Sequence, residues 1–311
     1  MTLFLWLLAL GVSLALLTKG AQWMLESAEK IGGALKLSPF IIGVLLVGVG
    51  TSLPELVSAL YAVYTGATNL VVANAVGSNI ANILLVVAIA AVYAGYLKME
   101  GETIDVDFPL LAAGTVLVIL MSLDGIISRT ESAFLTVGVL LYLVYAVLTK
   151  RPEQDVAKRA RETISIREWS FFVFGIVALA IGAKYTIDSV IAISDITGIG
   201  SGAIALFAVA LGTSLPELVT SIYAARQGNA SLIFGNIFGS NMFNILAVIG
   251  IPGLFATLSI DNETARFGIP VMIAATVLFF VSGLSRRINR WEGIFLLFVY
   301  VYFIGSIFGL L

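Results

Sequence analysis

The chain has 311 residues, of which 59% are hydrophobic and 12% are charged, and its mean hydropathy is +1.05. A soluble domain of this length cannot bury that much apolar surface, so the composition predicts an integral membrane protein. The formal net charge of −2 excludes little, but the absence of cysteine excludes disulfides and thiolate metal sites, and the absence of histidine removes the usual zinc ligand and proton shuttle.

Ten apolar runs follow one another along the chain, and each has roughly the length that a helix needs to cross about 30 Å of hydrocarbon. They are too long for the strands of a membrane barrel, so the expected fold class is an all-α integral membrane protein. No basic stretch precedes the first run, which is therefore interpreted as a retained helix and not as a cleaved signal peptide. The runs cover residues 2–18, 39–64, 70–96, 108–123, 132–149, 169–193, 202–225, 231–258, 267–284 and 292–311.

One polar interval, residues 150–168, separates five runs from five. We therefore expect a first repeat at 1–149 with core motifs at 48–84, a linker at 150–168, and a second repeat at 169–311 with core motifs at 210–246. When the interval is placed in the cytoplasm, fourteen Lys and Arg residues fall on the inner side and three on the outer side. This bias predicts a multi-pass protein of the cell membrane with both termini outside.

An internal repeat relates residues 20–92 to residues 182–254 through a constant offset of 162 positions, without a gap. The stretch Gly50–Val57 reads GTSLPELV and occurs again, letter for letter, at Gly212–Val219. The pattern NxxGSNxxNIL begins at Asn74 and again at Asn236. Because each copy holds five helices, an odd number, the second copy enters the membrane from the opposite side. This is an inverted-topology repeat, an architecture of secondary transporters whose binding sites lie near the bilayer midplane.

The first shared motif places a glutamate and a proline inside a membrane helix, where both are costly. Pro54 has no amide hydrogen and crowds the carbonyl of Gly50, so carbonyl oxygens there can turn away from a discontinuous helix. Thr51 and Glu55 are four residues apart and share a helix face, with Ser52 beside them. The product is a compact set of hard oxygen donors. The second half repeats it at Ala210, Thr213, Ser214, Pro216 and Glu217.

The second shared motif adds amide and hydroxyl oxygens. Three polar residues fall at positions i, i+4 and i+8 and form one polar stripe along an otherwise apolar helix. Gly77 and Gly239 allow a neighbouring membrane helix to approach closely. Such oxygens suit Na⁺ and Ca²⁺ and do not favour soft metals. The stripes are Asn74, Ser78 and Asn82 in the first half and Asn236, Ser240 and Asn244 in the second.

The two glutamates decide the charge of the predicted site. If Glu55 and Glu217 meet at the midplane and both ionise, they repel each other and are poorly solvated, so one or both must protonate or hold cations. One Ca²⁺ or two Na⁺ balance the pair, and a further Na⁺ makes transport sensitive to voltage. Competition of Ca²⁺ and Na⁺ for the same carboxylates is sufficient for exchange. The alternative for either motif alone is a kink or a packing device.

Together, the paired motifs resemble the α-repeats of the Ca²⁺/cation antiporter superfamily, and specifically the short prokaryotic sodium/calcium exchangers, over nearly the whole chain. The resemblance implies that Glu55 and Glu217 bind Ca²⁺ with the carbonyls of Thr51 and Thr213. It also implies alternating access by sliding of the first and sixth helices across a more rigid core. One implied Na⁺ site uses Gly48, Thr51, Ser78 and Glu55, its mirror uses Ala210, Thr213, Ser240 and Glu217, and Asn82 and Asn244 fill the middle.

Asn244 bears on the coupling ion. Some relatives, including potassium-dependent exchangers, carry Asp at this position, so Asn favours Na⁺/Ca²⁺ exchange without K⁺. A K⁺-dependent or H⁺-coupled Ca²⁺ exchanger, a cation channel and a membrane scaffold are the open alternatives. We expect a chain that is not an enzyme, uses no cofactor, binds no nucleic acid, transports Ca²⁺ and Na⁺, and functions as a monomer in the lipid bilayer.

Overall fold

A computed structural model describes residues 2–34, 50–99, 103–149 and 166–310. Within these ranges the chain is helical apart from turns and four short strands, in agreement with the expected helical class. The α-helices are α1 (Leu3–Ala34), α2 (Leu53–Tyr64), α3 (Asn69–Ala81), α4 (Ala88–Ala94), α5 (Phe108–Met121), α6 (Arg129–Thr149), α7 (Ile166–Thr197), α8 (Ser201–Ile204), α9 (Ala210–Thr213), α10 (Leu215–Arg226), α11 (Ala230–Phe243), α12 (Ile249–Gly253), α13 (Ile269–Leu284) and α14 (Arg290–Ile307). The π-helical segments are π1 (Asn82–Val87), π2 (Thr103–Asp107), π3 (Ala205–Val209), π4 (Asn244–Val248) and π5 (Thr264–Gly268).

Several of these helices are candidates for membrane spans. In the described part of the chain, six continuous stretches are long and apolar enough to cross a bilayer. A further pair, Ser201–Thr213 and Leu215–Arg226, meets the same requirement as one span that bends by 43°. The six stretches are Leu3–Met24, Asn69–Ala94, Ile166–Thr197, Ala230–Gly253, Thr264–Leu284 and Arg290–Ile307.

Helix α1 continues to Ala34, although the apolar run predicted a helix that ends at residue 18. That boundary was wrong because it followed hydropathy alone. Lys19 ends the apolar run, but its ammonium donates to the Gln22 side chain at 3.0 Å, and no proline interrupts the helix. Leu17, Ala21 and Ile31 remain buried at helical spacing, so packing against the protein extends the helix beyond the apolar run.

Helices α1 and α7 pack against each other in antiparallel directions. A Cβ added to Gly20 would lie 3.0 Å from the carbonyl oxygen of Gly175, and one added to Gly182 would lie 3.0 Å from that of Ser13. Small residues at these positions therefore let the two backbones approach closely. The hydroxyl of Thr186 donates to that of Ser13 at 2.9 Å across the contact. Gly20 and Gly182 are counterparts at the offset of 162.

The strands form two antiparallel pairs, and each pair joins the first half of the chain to the second. β1 (Tyr96–Lys98) pairs with β4 (Arg287–Asn289), and Leu97 lies opposite Ile288. β2 (Ile126–Ile127) pairs with β3 (Leu258–Ser259), and Ile126 lies opposite Ser259. Adding 162 to Leu97 and subtracting 162 from Ile288 gives Ser259 and Ile126, so the two pairs have the same register.

The centre of the molecule is formed by two helical stretches that carry the repeated asparagine motifs. In Asn69–Ala94 and Ala230–Gly253, 83% and 89% of the most apolar window is buried inside the protein. The corresponding share is only 28–39% for the other candidate spans. The polar stripes of α3 and α11 are thus enclosed by protein, where polar side chains can be tolerated at membrane depth.

Candidate ion-binding site

The repeated Gly-Thr-Ser-Leu-Pro-Glu motifs mark breaks in the helices. α2 begins at Leu53 with Pro54 in its first turn, and Ser214 separates α9 from α10, which has Pro216 in its first turn. Proline suits a first turn because the amide hydrogen it lacks has no helical acceptor there. Glu55 and Glu217 consequently lie in the first turns of α2 and α10. The positive end of each helix dipole favours the negative charge of its glutamate.

The two glutamates are completely buried and face hydroxyl groups. The Ser240 hydroxyl donates to Oε1 of Glu217 at 3.1 Å, and the counterpart hydroxyl of Ser78 donates to Oε1 of Glu55 at 3.5 Å. The hydroxyl of Ser52, on the Glu55 side, also donates to Oε1 of Glu217 at 3.5 Å. The structure therefore brings both motif glutamates into one site.

A second hydroxyl contact joins the halves at this site. The Oγ1 atom of Thr51 and the Oγ atom of Ser240 form a hydrogen bond of 3.0 Å. The counterpart of Thr51 behaves differently, because the Thr213 hydroxyl donates to the carbonyls of Val209 and Ala210 in its own helix, at 3.0 and 3.4 Å. The two copies of the motif therefore contribute equivalent residues, but the hydrogen bonds of their threonines are not equivalent.

The last asparagine of each polar stripe begins a π-helical segment. π1 starts at Asn82 and π4 starts at Asn244, and both side chains are completely buried. Such segments are rare and often occur at functional sites. The Nδ2 atom of Asn82 donates to Oδ1 of Asn241 at 3.2 Å. That bond orients the Asn82 amide and presents its Oδ1 atom to the surroundings as an acceptor.

Several buried oxygen atoms at the site have no hydrogen-bond partner within the described residues. They include the Oε2 atoms of Glu55 and Glu217, Oδ1 of Asn82 and of Asn244, and Oγ of Ser214. Buried polar atoms normally have partners, and unpaired ones are costly. Carboxylate, amide and hydroxyl oxygens are the donors that hard cations such as Na⁺ and Ca²⁺ use. A cation bound at this site would therefore coordinate the oxygen atoms that have no hydrogen-bond partner.

Most of the predicted ligands are buried in the protein. Thr51 is half-buried, and the fully buried members are Ser52, Glu55, Ser78, Asn82, Ala210, Thr213, Ser214, Glu217, Ser240 and Asn244. Gly48 lies outside the described residues. The described part of the chain has no group of three or more acidic side chains that could hold a metal, so neutral oxygens must complete any coordination. The predicted ligand set omits Asn241, which accepts a hydrogen bond from Asn82. Its position is occupied by asparagine in both copies of the second motif, and this recurrence is a signal that could have identified it.

A comparison with known protein families shows the family of the chain. The sequence profile described as sodium/calcium exchanger protein matches residues 5–150 and 168–309. The chain belongs to this family. Among curated relatives of this exchanger chain, the sodium/calcium exchanger MaX1 of Methanosarcina acetivorans is 34% identical, with 97% of this chain and 98% of the relative covered. The inner membrane protein YrbG of Escherichia coli is 28% identical over 91% of this chain and 90% of its own length.

Solved structures agree with the fold of this exchanger chain. One structure of the sodium–calcium exchanger NCX_Mj, soaked with Na⁺ and Sr²⁺, superimposes with a TM-score of 0.67 at 26% sequence identity. The match covers 98% of this chain and 99% of NCX_Mj. Members of the family are membrane transporters of cations and not enzymes. The chain is accordingly a multi-pass membrane protein of the cation-antiporter class.

Proposed function

We propose that this chain is a secondary active antiporter that exchanges Na⁺ for Ca²⁺ by alternating access. The observation that carries the proposal is the meeting of two buried glutamates, one from each repeated motif, among hydroxyl and amide oxygens. Membership of the exchanger family supports cation antiport. The donor set supports Na⁺ and Ca²⁺ as the transported ions, because both prefer oxygen ligands.

In the proposed site, Ca²⁺ binds between Glu55 and Glu217, and Na⁺ ions bind to either side of them. The full proposed ligand set is the one expected from the sequence: Gly48, Thr51, Ser52, Glu55, Ser78, Asn82, Ala210, Thr213, Ser214, Glu217, Ser240 and Asn244. Two carboxylates balance one Ca²⁺ or two Na⁺. A third Na⁺ carries net charge through the membrane, so we propose that exchange is electrogenic.

The proposed architecture has ten membrane helices in two inverted repeats, at 1–149 and 169–311, with discontinuous helices at the midplane. The equal register of the two strand pairs and the antiparallel packing of α1 with α7 support it. The Lys and Arg bias supports a cytoplasmic linker at 150–168 and both termini outside. One chain supplies both glutamates, and this supports function as a monomer.

A flux measurement in vesicles tests the coupling ion. Purified protein is reconstituted, and Ca²⁺ uptake is measured with an outward gradient of Na⁺, of K⁺ or of H⁺, one at a time. We expect saturable uptake driven by Na⁺ alone. Uptake that needs K⁺ or follows the pH gradient would identify the corresponding exchanger instead. Flux without any counter-ion would indicate a channel, and absence of both flux and ion binding would indicate a scaffold.

The glutamates are tested in the same vesicles. Glu55→Gln and Glu217→Gln keep the size of each side chain and remove one of the two charges that balance Ca²⁺. We expect either substitution to abolish Ca²⁺ transport. Glu26→Gln is the matched control, because Glu26 is exposed on α1 and should transport normally. Normal flux in either site variant contradicts a site built on both carboxylates.

A further inference from the structure

Asn236 lies outside the proposed ligand set, but it makes a specific contact with it. Its side chain is only 4% exposed. The Nδ2 atom donates to the main-chain carbonyl oxygen of Glu217 and to the hydroxyl of Ser221, both at 3.2 Å. Asn236 is on α11 and the two acceptors are on α10, so the contact ties these helices together at the glutamate itself.

The counterpart of Asn236 in the first half is Asn74, and it makes no such contact. Asn74 is 3% exposed, and neither polar atom of its side chain has a partner in the part of the chain that the structure describes. The same holds for the hydroxyl of the neighbouring Ser58. Both residues line a seam between α2, α3, α7 and π3 whose gaps are narrower than a water molecule. Asn74 is thus left without hydrogen bonds, whereas its counterpart Asn236 makes two.

Unsatisfied polar groups in a dry seam are costly, so they require an explanation. The repeat supplies one, because Asn74 has the same relation to Glu55 in the sequence as Asn236 has to Glu217. We propose that the two asparagines are alternate latches: each ties its stripe helix to its own motif glutamate in one state of the carrier and releases it in the other. In this structure the Asn236 latch is closed and the Asn74 latch is open. The inference rests on the proposed alternating access.

The sequence also sets a bias between the latches. Ser221 gives Asn236 a second acceptor, whereas the residue at the equivalent position of the first half is Ala59, which lines the seam. The Asn236 latch can therefore make one hydrogen bond more than the Asn74 latch. One hydrogen bond of ordinary strength shifts a two-state equilibrium by roughly five- to tenfold. The chain should consequently favour the state in which the Asn236 latch is closed.

Cysteine labelling tests this proposal in the full chain, which has no cysteine of its own. Ala62 and Ala224 are counterparts on α2 and α10, and both are completely buried. Single reporters are introduced as Ala62→Cys or Ala224→Cys, and the protein is placed in nanodiscs so that a water-soluble thiol reagent reaches both faces. The labelling rate of each thiol then reports how often its side of the site opens.

We expect latch variants to change the two rates in opposite directions. Asn236→Ala should raise labelling at position 224 by about tenfold and lower it at position 62, and Asn74→Ala should do the reverse. Ser221→Ala should act like a weaker Asn236→Ala, and Ala59→Ser should act like Ser221→Ala, because it strengthens the opposing latch. These two substitutions leave both asparagines in place, so they test the proposal even where an asparagine variant does not fold.

Equal labelling rates in native and latch-variant proteins would overturn the proposed latches. Rates that change in the same direction at both positions would also overturn them, because such a change indicates a general loss of packing. Na⁺-driven Ca²⁺ uptake by the reporter proteins separates this result from the proposed function. If Ca²⁺ uptake occurs but the latch variants do not change the labelling rates, the latches are refuted and the proposed exchange activity is not. Opposite labelling changes without uptake support the latches and refute the exchange activity.

Discussion

Replacing Gly77 with alanine should disable transport, because the new methyl group has no room. Gly77 precedes Ser78 on α3, and α3 packs there against π3 and α9. An added Cβ would lie against the main-chain carbonyl of Leu206 and only 2.7 Å from the Cβ of Ala210. The obstructing atoms belong mainly to the backbone, so no side chain can rotate away to make space.

The size of the effect follows from these distances. Ordinary carbon contacts begin near 3.4 Å, so α3 and α9 must separate by about 0.7 Å to accommodate the methyl group. Overpacking of this kind costs about 1–3 kcal/mol of stability. The displaced residues, Ser78 and Ala210, belong to the proposed ligand set. Because a 1 Å error in a reacting geometry can cost about a hundredfold in rate, we expect Ca²⁺ flux to fall by at least about tenfold.

The control is Gly114→Ala on α5. A Cβ at Gly114 would lie 3.5 Å from Sδ of Met242 and 3.6 Å from Cγ2 of Ile245, which are ordinary contacts with flexible side chains. Both variants are compared in thermal unfolding and in Na⁺-driven Ca²⁺ uptake. Gly77→Ala should lower the melting temperature and the flux, and Gly114→Ala should change neither appreciably. Native flux in Gly77→Ala would refute the argument from close packing.

Three further predictions concern the ions. Ser240→Ala should raise the Na⁺ concentration for half-maximal Ca²⁺ uptake about tenfold, and Ser78→Ala should raise it less. The reason is that Ser240 forms hydrogen bonds with both Glu217 and Thr51 of the opposite half, whereas Ser78 forms one longer bond with Glu55. Equal shifts would contradict this order. Asn244→Asp should make uptake fall more steeply on acidification, because it adds a third buried carboxylate to Glu55 and Glu217, and burial favours its protonated form. An unchanged pH profile would count against that prediction. Native uptake should respond to membrane potential, and voltage-insensitive exchange would exclude a third Na⁺.

Sequence patterns predicted the meeting of the two motif glutamates better than the hydrogen bonds around them. The doubled motif predicted that Glu55 and Glu217 meet, because five expected helices in each copy would turn the second copy over. The hydrogen bonds are a different matter. Thr51 and Thr213 lie in identical stretches of sequence, yet one hydroxyl contacts Ser240 and the other contacts its own helix. Identical residues can differ in this way because the residues packed around the two copies are not the same.

Features that depend on packing were also beyond the sequence patterns. The π-helical starts at Asn82 and Asn244 have no composition signal, since they differ from α-helix only in which carbonyl each amide meets. The predicted end of α1 was too early, because the helix is stabilised beyond the apolar run by burial of Ile31 against the protein. The strands were missed because two- and three-residue segments at helix ends are too short to show alternation.

The two strand pairs have a consequence for the biogenesis of the chain. β1 lies in the first half and finds its partner only at Arg287–Asn289, and β2 finds its partner only at Leu258–Ser259. Backbone groups at these edges therefore stay unpaired while the first half is synthesised, and pairing across such long sequence separations is slow. The two strand pairs can therefore form only after the second half has been synthesised.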